Sequence, residues 1–136
     1  MNKTSTGFRS IVVKYLLLVV VTFIVVQIAT SIPALSASNR LETRCGWFVN
    51  PTPANAWLLD RHGQWIIGSQ GGYQAKGDWT NFTPQQWVET NGSYGYGCAC
   101  MRVKVNYQTR KILESKSSYA KPLKACRQDR SLQEPI

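Results

Sequence analysis

Apolar and polar positions follow different patterns in the two parts of this chain. From Tyr15 to Val26 the sequence is an apolar run interrupted by Thr22 alone, preceded by Lys3, Arg9 and Lys14. Neither face of that run is polar, which argues against a helix lying on a soluble core. After about residue 37 the apolar residues come in short groups separated by Gly, Pro, Asn and Asp, the pattern of strands and turns.

Two hairpins are predicted. Ala56–Leu59 and Gln64–Gly68 flank Asp60-Arg61-His62-Gly63, a turn whose glycine accommodates positive φ. Trp57, Leu59, Trp65 and Ile67 are expected on the core face of this first hairpin. Gln86–Thr90 and a long arm, Tyr94–Val105, flank Asn91-Gly92-Ser93, the sharpest turn signal in the chain. Asn50–Asn55 is expected to be a proline-stiffened loop, and Gly68–Asp78 a second loop with four glycines.

Period-two parity along the long arm puts Ala99, Met101, Val103, Val105 and Tyr107 on a core face. Tyr94, Tyr96, Cys98, Cys100, Arg102 and Lys104 fall on the opposite face. On the core side, Gly95 and Gly97 would let a neighbouring ring lie on bare backbone. Cys98 and Cys100 are poorly placed to bond each other, so each is expected to join one of Cys45 and Cys126. If Lys111–Ser118 pairs back after a turn at Asn106–Arg110, the chain leaves the strand near Cys98. That favours Cys98–Cys126 with Cys45–Cys100, without excluding the exchanged pairing.

The cysteines bear on compartment. All four follow residue 37, and an even number in a short domain reads as a disulfide framework in an oxidising compartment. The apolar run with its preceding positive charges then reads as an export signal, with processing expected after Ser36 or Ala37. In the competing reading the leader is uncleaved and Ile11–Ile32 anchors the protein in a membrane. Pro33 and the small residues that follow favour processing. Both readings place residues 38–136 outside the cytoplasm as one domain, behind a signal peptide or anchor at 1–37.

Charge changes the picture further. The chain carries a net +9, and residues 38–136 retain thirteen Lys and Arg against seven Asp and Glu. All of the exported part's excess lies after residue 97, whereas residues 38–97 are neutral and hold nine glycines. Nucleic acid is not an expected partner outside the cytoplasm; an anionic or polysaccharide envelope component is. Arg102 and Lys104, sharing a strand face, are the candidate electrostatic contacts. Tyr73, Trp79, Tyr94 and Tyr96 are the candidate stacking contacts for a polysaccharide. Three of the five tryptophans are assigned to the core.

The candidate chemistry is thin. No metal site is expected, because zinc ligands are ordinarily spaced more widely than in Cys98-x-Cys100 and recruit histidines, of which the chain has one. His62 beside Asp60 sits in a turn, where polar residues serve solvation, and no partner nucleophile is evident. Asp78 and Glu89 form no recognisable acid–base pair, and the glycine loop lacks the lysine and hydroxyl of a phosphate loop. No catalytic residue and no cofactor is assigned.

Several segments together carry a resemblance. Arg44-Cys45-Gly46-Trp47-Phe48, Asn50-Pro51-Thr52-Pro53, Asn55-Ala56-Trp57-Leu58 with Asp60, Gly77-Asp78-Trp79, the run Asn91–Cys100 and Lys121–Cys126 are similar to a bacterial domain-of-unknown-function family, number 4087. The resemblance covers nearly all of the exported part. It implies a small exported bacterial protein with these cysteines in its pattern, and carries over no activity.

The expected architecture is a single, mainly β, antiparallel domain of five or six short strands from about Arg44 to Ser118, with a disulfide-tied C-terminal tail. The expected function is a non-catalytic envelope-binding or inhibitor-like module. A small hydrolase using Asp60, His62 or Asp78 is the alternative in chemistry, and an envelope structural protein is the third class. Convergence of Asp60, His62, Asp78 and Glu89 in one cleft would favour the enzyme.

Overall fold

The computed structural model describes residues 11–21 and 38–135, in two units, 1–36 and 37–136. In the first unit residues 11–21 form helix α1, whose apolar side chains are exposed. Among the described residues no helix is long and apolar enough to cross a membrane. The processing and anchoring expectations fall largely on residues 1–10 and 22–37, outside the described residues.

The second unit is built from β1 (Ser38–Thr52), β2 (Asn55–Asp60), β3 (Gly63–Gly68), β4 (Trp87–Asn91), β5 (Tyr94–Asn106) and β6 (Lys111–Lys121), followed by the short helix α2 (Leu123–Arg127). Both predicted hairpins are present, the turns at Arg61–His62 and Gly92–Ser93 joining β2 to β3 and β4 to β5. β1 pairs with β5 from Ser38 to Asn50 and with β2 from Trp47 to Thr52. β5 returns antiparallel onto β6, and β6 meets β3 in parallel at Ile66↔Lys111, where the Ile66 N–H donates to the Arg110 carbonyl at 2.8 Å.

These pairings close a circuit, β1-β2-β3-β6-β5 and back to β1, with β4 added beside the start of β5. Closure removes the exposed edges of the circuit, leaving the five-residue β4 at the margin. Five strands thus close on one another, with the long first strand shared between two neighbours. The expectation of a mainly β, disulfide-stapled domain holds. The long arm expected at Tyr94–Val105 is β5, while β1, at 15 residues, and β6, at 11, are longer than expected, β1 because it serves both β2 and β5. One junction is parallel rather than antiparallel.

The barrel interior holds Phe48, Leu58, Trp65, Ile67, Ala99, Met101, Val103, Val105 and Ile112, all buried. The β5 parity reading is correct from Ala99 to Val105, and Phe82 lies against Gly97, where an added Cβ would stand 2.5 Å from its ring. Tyr107 departs from the reading: the strand ends at Asn106 and its ring is exposed. A second correction concerns β2, whose inward residues are Ala56, Leu58 and Asp60. The register Leu58↔Trp65 fixes this, since residues directly opposite share a face. Trp57 and Leu59 therefore belong to the other face.

That outer face carries a second cluster. Trp47, Val49, Tyr96, Cys98 and Cys126 are buried there, with Trp57, Leu59, Val88, Leu123 and Leu132 packed around them. The C-terminal segment from α2 to Leu132 thus contributes the cover of the outer wall of β1, β2 and β5. Two disulfides cross the same face, Cys45–Cys100 and Cys98–Cys126, the favoured pairing. They close spans of 55 and 28 residues, and loop-closure entropy makes them worth about 4 and about 3.5 kcal/mol. Bridges of this kind persist in oxidising, extracytoplasmic surroundings.

Candidate functional site

Two polar regions of the barrel are built differently. The first closes one end of it. Arg44 shares the parity of Phe48 on β1 and Asp60 that of Leu58 on β2, so both charged side chains point inward. The Arg44 guanidinium is 7% exposed and donates from Nη1 to Asp60 Oδ2 at 2.5 Å and from Nε to Glu42 Oε1 at 2.7 Å. Its carbon lies 3.7 Å from the centre of the fully buried Trp65 ring, a cation–π contact, and the Arg110 guanidinium lies 4.2 Å from the same ring. Asp60 Oδ1 accepts from the Trp65 indole at 3.1 Å and from the His62 backbone N–H at 2.7 Å. Tyr107 completes the cluster by donating to Glu42 Oε2 at 2.5 Å.

A cleft of about 410 Å³ opens over this cluster, lined by Glu42, Thr43, Arg44, Cys45, Asp60, Arg61, His62, Tyr107, Asp129 and Leu132. Burial works against the charge on Arg44, but its hydrogen bonds to the Asp60 and Glu42 carboxylates, with their charges, outweigh it and push the guanidinium pKa above its ordinary value. Both Asp60 oxygens are occupied by internal donors. The carboxylate is therefore committed to holding the barrel end and is poorly placed to take a proton from a substrate. His62 is exposed, and its Nε2 accepts from Arg61 Nε at 3.2 Å.

The second region is the segment between β3 and β4. Gly77, at φ +90°, lies so close to β6 that an added Cβ would meet the Ser115 carbonyl at 2.1 Å. This close approach is what glycine permits. Lys76 brackets the same stretch, donating to the Leu113 carbonyl at 3.1 Å and accepting from the Ser115 N–H at 2.8 Å. The chain then passes Trp79, packed edge-on to Phe48 at 6.0 Å, and Phe82 and reaches a one-turn 3₁₀ helix at Pro84–Gln86. Asp78 lines a depression here with Trp79, while Glu89 lines a separate one with Trp87. Asp60 and His62 lie in the barrel-end cleft, so the four candidate acid–base residues do not converge.

The six residues expected to bind are dispersed. Tyr73 is half-buried, its hydroxyl donating to the Ile112 carbonyl at 2.7 Å, and burial raises its pKa. Tyr96 is 8% exposed, edge-on to Trp47 at 5.4 Å, with its hydroxyl donating to Glu134 at 3.1 Å. Lys104 pairs with Glu114 at 3.3 Å, Arg102 is exposed, and Tyr94 is half-buried at the start of β5. Of the set, Trp79 lines one of the clefts described. Among the described residues no group of three or more His, Cys, Asp or Glu is arranged to hold a metal.

Sequence reasoning missed Arg44, Trp65 and Tyr107 as one unit, and also missed Thr80, Asn81 and Ser115. Parity carried from Phe48 back to Arg44 and from Leu58 on to Asp60 would have found the ion pair. Nothing in the local sequence marks Ser115, whose place depends on the approach of Gly77. A family model described as a protein of unknown function, DUF4087, matches residues 39–133. No curated protein and no solved structure matches the chain.

Proposed function

The chain belongs to the protein-of-unknown-function family DUF4087, and from that premise we propose that it is a non-catalytic, extracytoplasmic module that binds a component of the cell envelope. The observation that carries this reading is the state of Asp60. The one carboxylate close in sequence to the single histidine is already held by Arg44, Trp65 and a backbone N–H. The other carboxylates of the barrel-end cleft are engaged as well, Glu42 by Arg44 and Tyr107 and Asp129 by Ser131, and Asp78 and Glu89 lie in other depressions, which argues against general acid–base hydrolysis. A disulfide-tied closed barrel, in contrast, supplies a rigid surface suited to recognition.

The partner is an anionic or a polysaccharide component. Engagement of Lys104 by Glu114 leaves less free positive charge on the β5 face than the sequence suggests, which supports the polysaccharide. Co-sedimentation of the oxidised full chain with purified envelope material tests the proposal. Saturable retention without turnover of the material is expected. For an anionic partner, Arg102→Glu with Lys104→Glu lowers retention and flattens its salt dependence; for a polysaccharide, Trp79→Ala lowers retention and salt has little effect on it. Absence of retention with the fold intact by circular dichroism overturns the module reading.

A further inference from the structure

Two clefts of the second region adjoin at one side chain. A cleft of about 380 Å³ is lined by Asp78, Trp79, Asn81 and the β6 stretch Ser115–Ser118. Another, of about 360 Å³, is lined by Thr80, Asn81, Phe82, Trp87 and Glu89, with Asn50 and Ser93. Asn81 is exposed and belongs to both, so the chain from Gly77 to Trp87 runs between them.

Both clefts combine the same features. Each has a half-buried indole backed by the core, since Trp79 and Trp87 both pack on Phe48, at 6.0 and 6.4 Å. Each has neutral amide and hydroxyl groups around that ring. Each also includes a buried hydroxyl without a hydrogen-bond partner, Ser115 Oγ in the first and Thr80 Oγ1 in the second, on residues 8% and 7% exposed. Buried polar atoms are nearly always paired, so two such hydroxyls lining neighbouring clefts point to groups supplied from outside. Among the described residues Trp47 Nε1 is the other buried side-chain atom lacking a partner.

Charge narrows the ligand. The first cleft sets Asp78 beside one lysine, Lys116, which Glu114 already holds at 2.6 Å, and the second has Glu89 with no basic residue in its lining, so neither cleft attracts an anion. Aromatic faces ringed by neutral donors and acceptors fit a sugar, whose C–H face stacks on indole while its hydroxyls exchange hydrogen bonds. The platform is preorganised: Trp87 donates from its indole to the Ser93 carbonyl at 3.1 Å and leans on Phe82 at 4.9 Å. We propose that Gly77–Trp87 forms two adjoining subsites for a neutral oligosaccharide chain, with Trp79 and Trp87 as the stacking surfaces and Asn81 between them. The proposal rests on the binding-module reading and gives it a site and a ligand class.

The test titrates the oxidised full chain, in mild detergent, with neutral disaccharides and hexasaccharides of glucose, N-acetylglucosamine, galactose and mannose. Tryptophan fluorescence and calorimetry are the readouts. At least one hexasaccharide is expected to saturate, about tenfold more tightly than its disaccharide, with little response to salt. Trp79→Ala and Asn81→Ala should each weaken it by about tenfold, the second being the safer variant because its side chain is exposed. Arg130→Glu, at an exposed residue lining none of the clefts, should leave it unchanged.

No saturable binding by any hexasaccharide, or equal affinity for the disaccharide, overturns the proposal. So does wild-type affinity in Asn81→Ala and Trp79→Ala at an unchanged melting midpoint. Where the protein is still retained on envelope material in these cases, the subsites fail and the module reading stands. Where retention is absent as well, both fail.

Discussion

The Arg44 end of the barrel and the Gly77–Trp87 segment are both polar surroundings on one small fold, and they differ in how their polar groups are satisfied. At the barrel end Arg44, Asp60, Glu42, Trp65 and Tyr107 engage one another, and the Arg44 charge is answered by two carboxylates over Trp65. Along the segment two hydroxyls are buried without partners and two indoles remain half-exposed. A closed network fixes structure because its groups have nothing left to offer a ligand. An incomplete one retains hydrogen-bonding capacity, and that capacity rather than the abundance of charge separates a recognition surface from a structural plug.

The largest expected effect breaks the closed network. Arg44→Met removes the counter-charge of Asp60, which stands at 4% side-chain exposure. Leaving a buried charge unpaired should destabilise the domain by about 3 to 5 kcal/mol in urea unfolding of the oxidised protein. The double variant Arg44→Met with Asp60→Leu should recover much of that loss, because no charge then remains buried. A single variant as stable as wild type would show that the pair is solvated and that this end is no plug.

The second prediction has the opposite sign and comes from the other region. Ser115→Ala and Thr80→Val each delete a buried hydroxyl that nothing in the fold satisfies. Relief of its desolvation should stabilise the sugar-free protein by about 1 kcal/mol, and Thr80→Val keeps the volume nearly constant. A fall in the melting midpoint of both variants would mean that the hydroxyls are paired within the fold. The comparison between the two regions would then collapse.

Legibility from sequence followed the range of the interactions. Hairpin turns and β5 parity depend on residues within about one strand of each other, and Asn91-Gly92 or Ala99-Cys100-Met101 state them directly; the favoured cysteine pairing, across 55 and 28 residues, followed from the strand that returns after β5. In the first hairpin Trp65 and Ile67 are inward as expected, but Trp57 and Leu59 are not, because the phase between the two arms depends on the turn and cannot be read from the alternation within either arm. The register Leu58↔Trp65 sets that phase. The parallel contact Ile66↔Lys111 and the approach of Gly77 to Ser115 join distant segments, and period-two patterns carry no information about which strands meet. Of the expected binding residues Trp79 reaches a cleft, whereas Tyr96 is committed to the outer cluster, since a tail absent from the strand pattern covers it.

The smallest expected effect separates burial from pairing. The C-terminal tail carries its own ion pair, Arg127 with Glu134, at 2.8 Å, with Tyr96 donating to the same carboxylate at 3.1 Å. Unlike Arg44, these side chains are substantially exposed, so pairing alone should contribute little to global stability. Hydrogen bonds from Arg127 hold the Glu134 carboxyl below its ordinary value of 4.5, partly opposed by burial and aided by the Tyr96 hydroxyl. The folded state therefore takes up this proton less readily than the unfolded chain does. The contribution is complete above the ordinary value and lost as pH falls through the lower folded one. An NMR titration should show the Glu134 carboxyl carbon titrating below 4.5, with the Leu132 methyls of the outer cluster following it while the barrel core stays fixed. Titration of Glu134 at or above its ordinary value would show that the tail is not clamped there. Simultaneous loss of the core signals would show that an exposed pair governs the whole barrel, contrary to the distinction drawn at Arg44.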